Sequence, residues 1–151
     1  MALKADRIEL MTDISFFMNT VAERGGVVSS VTSGLGVSMD DADAVVAYAA
    51  VVSGSRPLGL LLNDVVDLDL TRQHINGHKD EVQLGGKVTL LTHGQVTTNM
   101  LVSGISPVAG TPAYVGVSGL IGTTSTNAVQ IGHFLSSKDA DDYAKIALNI
   151  A

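Results

Sequence analysis

The sequence predicts a mostly β protein with a single domain, built as a β-barrel or β-sandwich of short strands. An extended N-terminal arm and at most one or two short helices complete the predicted fold. Hydrophobic residues make up 46% of the chain and aromatic residues only 4%, so the apolar mass is Val, Leu, Ile and Ala. Sixteen glycines punctuate the apolar runs, a pattern typical of short strands joined by turns. A length of 151 residues suits one domain with a sizeable core.

The N-terminal segment has two competing periodicities. Ile14, Phe16 and Met18 alternate as on a strand, whereas Ile14, Phe17 and Met18 also fit helical spacing, and Gly25-Gly26 ends either element. Two of the three phenylalanines lie here, so the segment is a packing anchor, either on its own core or on a neighbouring subunit. We assign residues 1–25 to an N-terminal arm or anchor segment and residues 26–151 to a β-rich domain.

The middle of the chain predicts further strands. Residues 26–34 favour a strand, and residues 41–54 favour a strand or a short helix. A nearly continuous apolar run in residues 56–70 predicts a buried strand, and the polar residues 71–81 predict a loop or a turn of helix. Residues 81–102 predict two strands with Gly94 between them.

The last third of the chain predicts three short strands. Residues 113–117 follow a turn marked by prolines and a glycine. In residues 127–137, Val129 and Ile131 share a predicted face, and Gly132 predicts a β-bulge. Residues 141–150 predict a closing strand whose apolar face consists of Ala144, Ile146, Leu148 and Ile150.

The charge of the chain excludes several classes of partner. The formal net charge is −6 and the pI is about 4.9, with no basic cluster, so we expect no binding to nucleic acid or to anionic membranes. No apolar run approaches the roughly 20 residues of a membrane span. The N-terminus lacks the apolar block of a signal peptide, so we expect a soluble protein made inside a cell. The chain has no Cys, which excludes disulfides and thiol chemistry.

Candidate metal-binding patterns are weak. His74 and His78 lie four residues apart, as two ligands on one helical turn would, but Gly77 weakens a helix there and no third ligand follows at a recognisable spacing. The spacing of Asp64, Asp67 and Asp69 does not match a calcium loop. We interpret both sets as polar loop residues and expect no metal.

Catalytic and ligand-binding motifs are also weak. Residues 85–89 partly match a phosphate-binding loop, but Val follows Lys87 and predicts a strand rather than a helix. There is no Gly-x-Ser-x-Gly elbow. The few aromatic residues provide little platform for a carbohydrate. We therefore expect no enzyme activity, no catalytic residues and no cofactor.

A long neutral run is the most unusual feature of the sequence. No Asp, Glu, Lys or Arg occurs between Val88 and Ser137. Such a run can form buried strands with loops rich in Ser, Thr and Gly. It can also form a surface that is buried against other subunits, because the cores of protein interfaces are depleted in charge.

Four stretches of the chain resemble the small decoration or cement proteins that bind outside the major capsid shell of tailed bacteriophages. The stretches, which together cover more than half of the 151 residues, are ALKADRIELMTDISFFMN, RPLGLLLNDVVDLDLTRQHINGHKDEVQLGGKVTLLTHG, PVAGTPAYVGVSG and IGHFLSSKDADDYAKIALNI. Residues 26–55 and 120–130 carry little of the resemblance. None of the stretches is a catalytic signature.

The resemblance implies a β-rich decoration domain on the outer capsid surface of the virion, made in the host cytoplasm. Its implied partners are the major capsid protein and further copies of itself, in a homotrimer or alternatively a dimer. It implies stabilisation of the head by clamping neighbouring capsomers. We assign the assembly contact to Ile14, Phe16, Phe17 and Met18. The alternative is a tail-associated module that binds a receptor or a carbohydrate.

Overall fold

A computed structural model describes residues 2–31, 45–64, 68–69, 74–75 and 81–150, with the backbone alone at 64, 68–69 and 74–75. The described elements are β1 (Ile8–Met18), β2 (Ala22–Glu23), β3 (Val27–Ser30), β4 (Val45–Ala47), β5 (Pro57–Asp64), β6 (Leu68–Asp69), β7 (His74–Ile75), β8 (Glu81–Val82), β9 (Lys87–Thr98), β10 (Pro112–Val115), a 3₁₀ turn (Val117–Gly119), β11 (Ile121–Gly122), β12 (Gln130–Phe134) and β13 (Ala144–Asn149). The mostly β, single-domain fold predicted from the sequence is confirmed.

Nine of these strands form one sheet in the order β1-β4-β3-β5-β9-β13-β12-β10-β11, and β1 also pairs with β9. The sheet therefore turns back on itself at β1. Of the two predicted architectures, the sandwich fits and the closed barrel is wrong, because β13, β12, β10 and β11 extend from β9 and leave β11 at an edge of the sheet. The pairs β2–β8 and β6–β7 form two small separate sheets.

Strand β5 explains the nearly continuous apolar run of residues 56–70. Leu60 and Leu62 belong to the larger of two buried hydrophobic clusters, and Leu61 belongs to the smaller one. Successive side chains on a strand point to opposite faces, so a strand between two cores needs apolar residues at every position. The neighbouring strands β3 and β9 likewise contribute to both clusters, and the three strands form a central layer.

Residues 81–102 contain two strands, β8 and β9, as predicted, but the prediction that Gly94 lies between them is wrong. Strand β9 runs without interruption for 12 residues through Gly94. A Cβ on Gly94 would overlap the carbonyl oxygen of Ile8, on the adjacent strand β1. The glycine therefore marks the close approach of another backbone, not the turn that its composition suggests.

The closing strand is confirmed. In β13, Ala144, Ile146 and Leu148 are buried and alternate with less buried residues. The bulge predicted at Gly132 is also confirmed, since Gly132 and Gln130 of β12 pair with the consecutive residues Ala113 and Tyr114 of β10.

This bulge also explains which side chains of β12 are buried. Ile131 and Phe134 are both fully buried in the larger cluster, although their odd spacing would place them on opposite faces of a regular strand. The prediction that Val129 shares the face of Ile131 is wrong, because Val129 precedes β12 and is exposed.

Both ambiguous segments contain strands. Residues 8–18 form β1, and residues 45–47 of the segment 41–54 form β4. The candidate metal ligands of residues 64–78 lie outside the residues whose side chains the structure describes, as do Val65 and Val66. Of the segment 71–81, residues 74–75 pair with residues 68–69 as a short antiparallel ladder.

Candidate assembly surface

Strand β1 exposes a set of large apolar side chains that we call the β1 patch. Its members are Ile8, Leu10, Met11 and Ile14, with exposed fractions of 52%, 76%, 57% and 51%. Several large exposed apolar side chains on one strand are typical of an interaction site, whereas single exposed apolar residues are ordinary on protein surfaces.

The patch is exposed because β1 pairs irregularly with β9. Three register shifts interrupt the pairing, between Glu9 and Met11, between Met11 and Thr12, and between Asp13 and Phe16. Each shift changes which side chains face the core. The middle of β1 is consequently hydrogen-bonded to the sheet while its apolar side chains point into solvent.

Both ends of this segment are anchored in the core. Leu3 is fully buried in the larger cluster and bridges to Thr98. Met18 is 1% exposed and lies in the smaller cluster. Between them, Thr92 Oγ1 donates a hydrogen bond of 3.1 Å to the carbonyl of Met11. The β1 patch is therefore held in a defined position and is not a free tail.

The four residues assigned to assembly from the sequence lie in different environments. Ile14 is exposed, and Phe16 is partly buried against the smaller cluster. Phe17 is half-buried, with the Lys87 ammonium 5.7 Å from its ring centroid. Met18 belongs to the core of its own subunit.

Sequence reasoning missed Ile8, Leu10 and Met11 because it gave most weight to the two phenylalanines. A signal was present in the sequence. On a regular strand, Met11 shares a face with Arg7 and Glu9, so that face cannot be buried without burying charge. Ile8 and Leu10 share the other face, which carries no charge there.

Charged residues border the β1 patch. Arg7 Nε lies 2.6 Å from Glu9 Oε1. Asp13 Oδ1 accepts a hydrogen bond of 2.7 Å from the backbone N–H of Ser15 and another from its hydroxyl. An apolar centre with a polar rim is the usual organisation of a protein–protein interface.

A second apolar feature lies near the other end of the sheet. We call it the valine groove; it has a volume of about 180 Å³ and is lined by Val52, Val102, Val115, Gly116, Val117, Gly122, Thr124 and Thr126. All of its lining residues are uncharged, and all except Val52 belong to the neutral run. The neutral run thus forms buried strands and also an uncharged surface feature.

A third feature is a shallow polar groove of about 450 Å³ over strands β12 and β13. It is lined by Gln130, Gly132, His133, Ala147, Leu148 and Asn149. Its polar side chains can form hydrogen bonds, and its lining has no Phe, Tyr or Trp and no nucleophile beside a base.

The glycines that partly matched a phosphate-binding loop have a structural role. Gly85 and Gly86 form the turn that leads into β9, where Gly86 N donates to the carbonyl of Gln83, so Lys87 opens a strand as predicted.

Among the residues that the structure describes, no three His, Asp or Glu side chains group as a metal site would require. In the same part of the chain, no helix has the length and apolar character needed to cross a membrane.

Comparison with protein families gives a match over most of the chain. The sequence profile of the XM1 gp53 minor capsid protein matches residues 11–148, which is most of the 151 residues. The chain belongs to the XM1 gp53 minor capsid protein family. None of the curated proteins matches the chain.

Membership of the XM1 gp53 minor capsid protein family gives the chain a structural role in a bacteriophage virion. The resemblance to phage head proteins is therefore confirmed at the level of a capsid protein. The matched range includes Met11 and Ile14 of the β1 patch, the valine groove and β13 as far as Leu148. Most of the described strands therefore lie within the family match.

Proposed function

We propose that this minor capsid protein binds the outer surface of the major capsid shell and stabilises the head by clamping neighbouring capsomers. It acts there as a homotrimer, with a dimer as the alternative. The observation that carries the proposal is the β1 patch, four exposed apolar side chains on a strand whose two ends are buried in the core.

A rigid apolar surface suits a permanent contact. Association loses less conformational entropy when the contact residues are already ordered, and β1 is ordered by its pairing with β9. Exposed apolar side chains are unfavourable in solution and become favourable once they are covered. A protein that stays bound to a shell keeps such an apolar surface covered.

The proposed mechanism is thermodynamic linkage. A protein that binds the mature shell and not its precursor stabilises the mature state by mass action. The free energy per site can be modest, because it is multiplied over every copy on the particle. This role needs no catalytic residue and no cofactor, and it is confined to the virion.

The four sequence-assigned contact residues divide into two roles in this proposal. Ile14 and Phe17 contact the partner directly, since both have exposed surface. Phe16 and Met18 hold the end of β1 in the smaller cluster, which fixes the position of the patch. A change at either of the latter two would act through the fold.

The experiment is a count of copies of this chain per purified particle, relative to the major capsid protein. Hundreds of copies at a fixed ratio to the shell protein are expected for a clamp between capsomers. A handful of copies would contradict the proposal and favour the alternative, a tail-associated module that binds a receptor or a carbohydrate.

A variant tests the contact itself. Phe17→Asp should abolish binding to shells lacking this protein while leaving the circular dichroism of the strands unchanged. Leu84→Asp is the matched control, because Leu84 is exposed and lies outside β1. Binding of the Phe17→Asp variant at the wild-type level would exclude this end of β1 as the contact.

A further inference from the structure

We infer that Thr92 and His93 are positioning residues for the β1 patch. The Thr92 hydroxyl, oriented by the His93 imidazole, holds the backbone of Met11 at the centre of the patch. The inference rests on the proposed shell contact and deepens it by naming the groups that fix the contacting strand. Both residues lie on β9, and neither is a member of the patch.

The ladder between β1 and β9 is interrupted on both strands at the patch. The successive pairs there are Glu9 with Gly94, Met11 with His93, and Thr12 with Leu91. Leu10 on β1 and Thr92 on β9 are therefore left out of this ladder. An extra residue locally disrupts the ladder hydrogen bonds, so the middle of the patch needs another attachment to the sheet.

The interruption at Thr92 is imposed by the core. Leu91 and Val96 of β9 both lie in the larger cluster, although their odd spacing would place them on opposite faces of a regular strand. The extra residue between them brings both side chains to one face. Strand β1 carries a matching extra residue, Leu10, so the pairs on either side of the interruption have the same register.

Thr92 connects three strands at this point. Its hydroxyl Oγ1 donates a hydrogen bond of 3.1 Å to the carbonyl of Met11 on β1. Its own carbonyl accepts a hydrogen bond of 2.9 Å from the N–H of Ile150, directly after β13. The side chain thus supplies a donor to β1 where the ladder is interrupted, and the end of β13 fixes the backbone that carries it.

His93 orients this hydroxyl. Its Nδ1 lies 3.2 Å from Thr92 Oγ1. A hydroxyl has a single proton to donate, and Thr92 donates it to the Met11 carbonyl, so the ring must donate from Nδ1–H. The neutral imidazole therefore carries its proton on Nδ1. A donor on one side of the hydroxyl directs the hydroxyl proton to the other side, toward β1.

Holding the Met11 backbone orders the patch before a partner covers it. The Met11 side chain is 57% exposed, so its own packing does little to fix this part of β1. Association loses less conformational entropy when the contact residues are already ordered. One hydrogen bond changes an equilibrium constant by about two- to tenfold, so loss of the hydroxyl should weaken shell binding without abolishing it.

Amide hydrogen exchange tests the role of Thr92 without any shell. Thr92→Val removes the hydroxyl and keeps the branched shape, and it should accelerate exchange in residues 8–13 by about two- to tenfold. Thr92→Ser keeps the hydroxyl and should retain slow exchange. Thr97→Val is the matched control on β9, because Thr97 Oγ1 is buried and makes no hydrogen bond within the described part of the chain.

Nitrogen NMR of the imidazole tests the role of His93. The neutral ring should be the Nδ1–H tautomer in the wild type, and Thr92→Val should shift the population toward Nε2–H. His93→Asn places an amide N–H close to the position of Nδ1 and should retain slow exchange in β1. His93→Phe, which has no donor, should accelerate it. An Nε2–H ring in the wild type would overturn the assignment of His93.

Binding to shells that lack this protein connects the latch to the contact. Thr92→Val should bind about two- to tenfold more weakly than the wild type, whereas Thr92→Ser and Thr97→Val should bind equally well. Unchanged exchange of β1 in Thr92→Val would overturn the inference, whatever the binding. Faster exchange with unchanged binding would refute the proposed shell contact through β1 and leave the attachment of Met11 by Thr92 intact.

Discussion

The aromatic ring of Tyr48 lies directly against Gly119, so closely that a Cβ on Gly119 would approach Tyr48 Cγ to 2.8 Å. Tyr48 follows β4, and Gly119 ends the 3₁₀ turn before β11. The Tyr48 hydroxyl donates a hydrogen bond to the carbonyl of Glu23 and accepts one of 3.2 Å from Gly26 N. One side chain therefore joins the segment between β2 and β3 to the turn before β11.

The first prediction concerns the close contact between Gly119 and the Tyr48 ring. Gly119→Ala should destabilise the fold by about 3 kcal/mol or more, because a methyl group meets the Tyr48 ring and an L residue is strained at this φ of +76°. Gly54→Ala is the matched control, since Gly54 has the same φ of +76° and no atom near its Cβ position. It should cost only about 1 kcal/mol. Urea unfolding measures both; equal losses would mean that the ring contact has no energetic role.

The second prediction concerns pH. Burial raises the pKa of Tyr48 well above its usual range, opposed by the hydrogen bond from Gly26 and assisted by the charge of Glu23. The native state therefore keeps its proton where the unfolded chain loses it. This contribution to stability is fully present below about pH 10, the ordinary pKa of tyrosine, and declines as the pH rises further.

The measurement is the free energy of unfolding between pH 8 and pH 11.5. Tyr48→Phe should be less stable than the wild type at pH 8 because it loses two hydrogen bonds, and its stability should fall less steeply above pH 10. Parallel profiles for the wild type and Tyr48→Phe would contradict the assignment.

The third prediction concerns the junction of β1 and β9. Gly94→Ala should separate the two strands locally, because the new methyl group overlaps the Ile8 carbonyl. Amide hydrogen exchange in the first half of β1 should accelerate by at least tenfold. Gly85→Ala, at a turn with open space around its Cβ position, should leave that exchange unchanged. Unaltered protection in Gly94→Ala would show that β1 does not depend on this approach.

The fourth prediction separates the anchor from the patch. Leu3→Ala should reduce the free energy of unfolding by about 2–5 kcal/mol, because Leu3 is fully buried and its loss leaves a cavity. Leu10→Ala, the same substitution on the exposed part of the segment, should change it by less than about 0.5 kcal/mol. Chemical denaturation of both variants is the test. Similar losses at the two positions would mean that the segment is not anchored as described.

Much of the fold could be predicted because hydrophobic periodicity reports local burial. The closing strand β13 alternates cleanly because it buries one face. The apolar run of β5 indicates a strand covered on both sides, and the glycine in β12 indicates a bulge. In each case, the hydrophobic pattern involves only a few neighbouring residues, so it can be recognised without knowing which strands pair with the segment.

The errors have a common cause. Gly94 has the composition of a turn, but its role depends on the backbone of Ile8, which is distant in the sequence. The exposure of Ile8, Leu10 and Met11 could not be predicted because it depends on register shifts of β1 against β9. Hydrophobic pattern alone does not specify such shifts.

The sequence by itself determined a mostly β chain, a neutral uncharged run and a resemblance to phage head proteins, because composition, charge and residue spacing are local properties. Only the tertiary structure decided that residues 8–18 form a strand, that Met18 belongs to the core while Leu10 faces solvent, and that valines from separate segments line one groove. These outcomes depend on pairing between segments distant in sequence, where register determines which side chains are buried and which remain available for assembly.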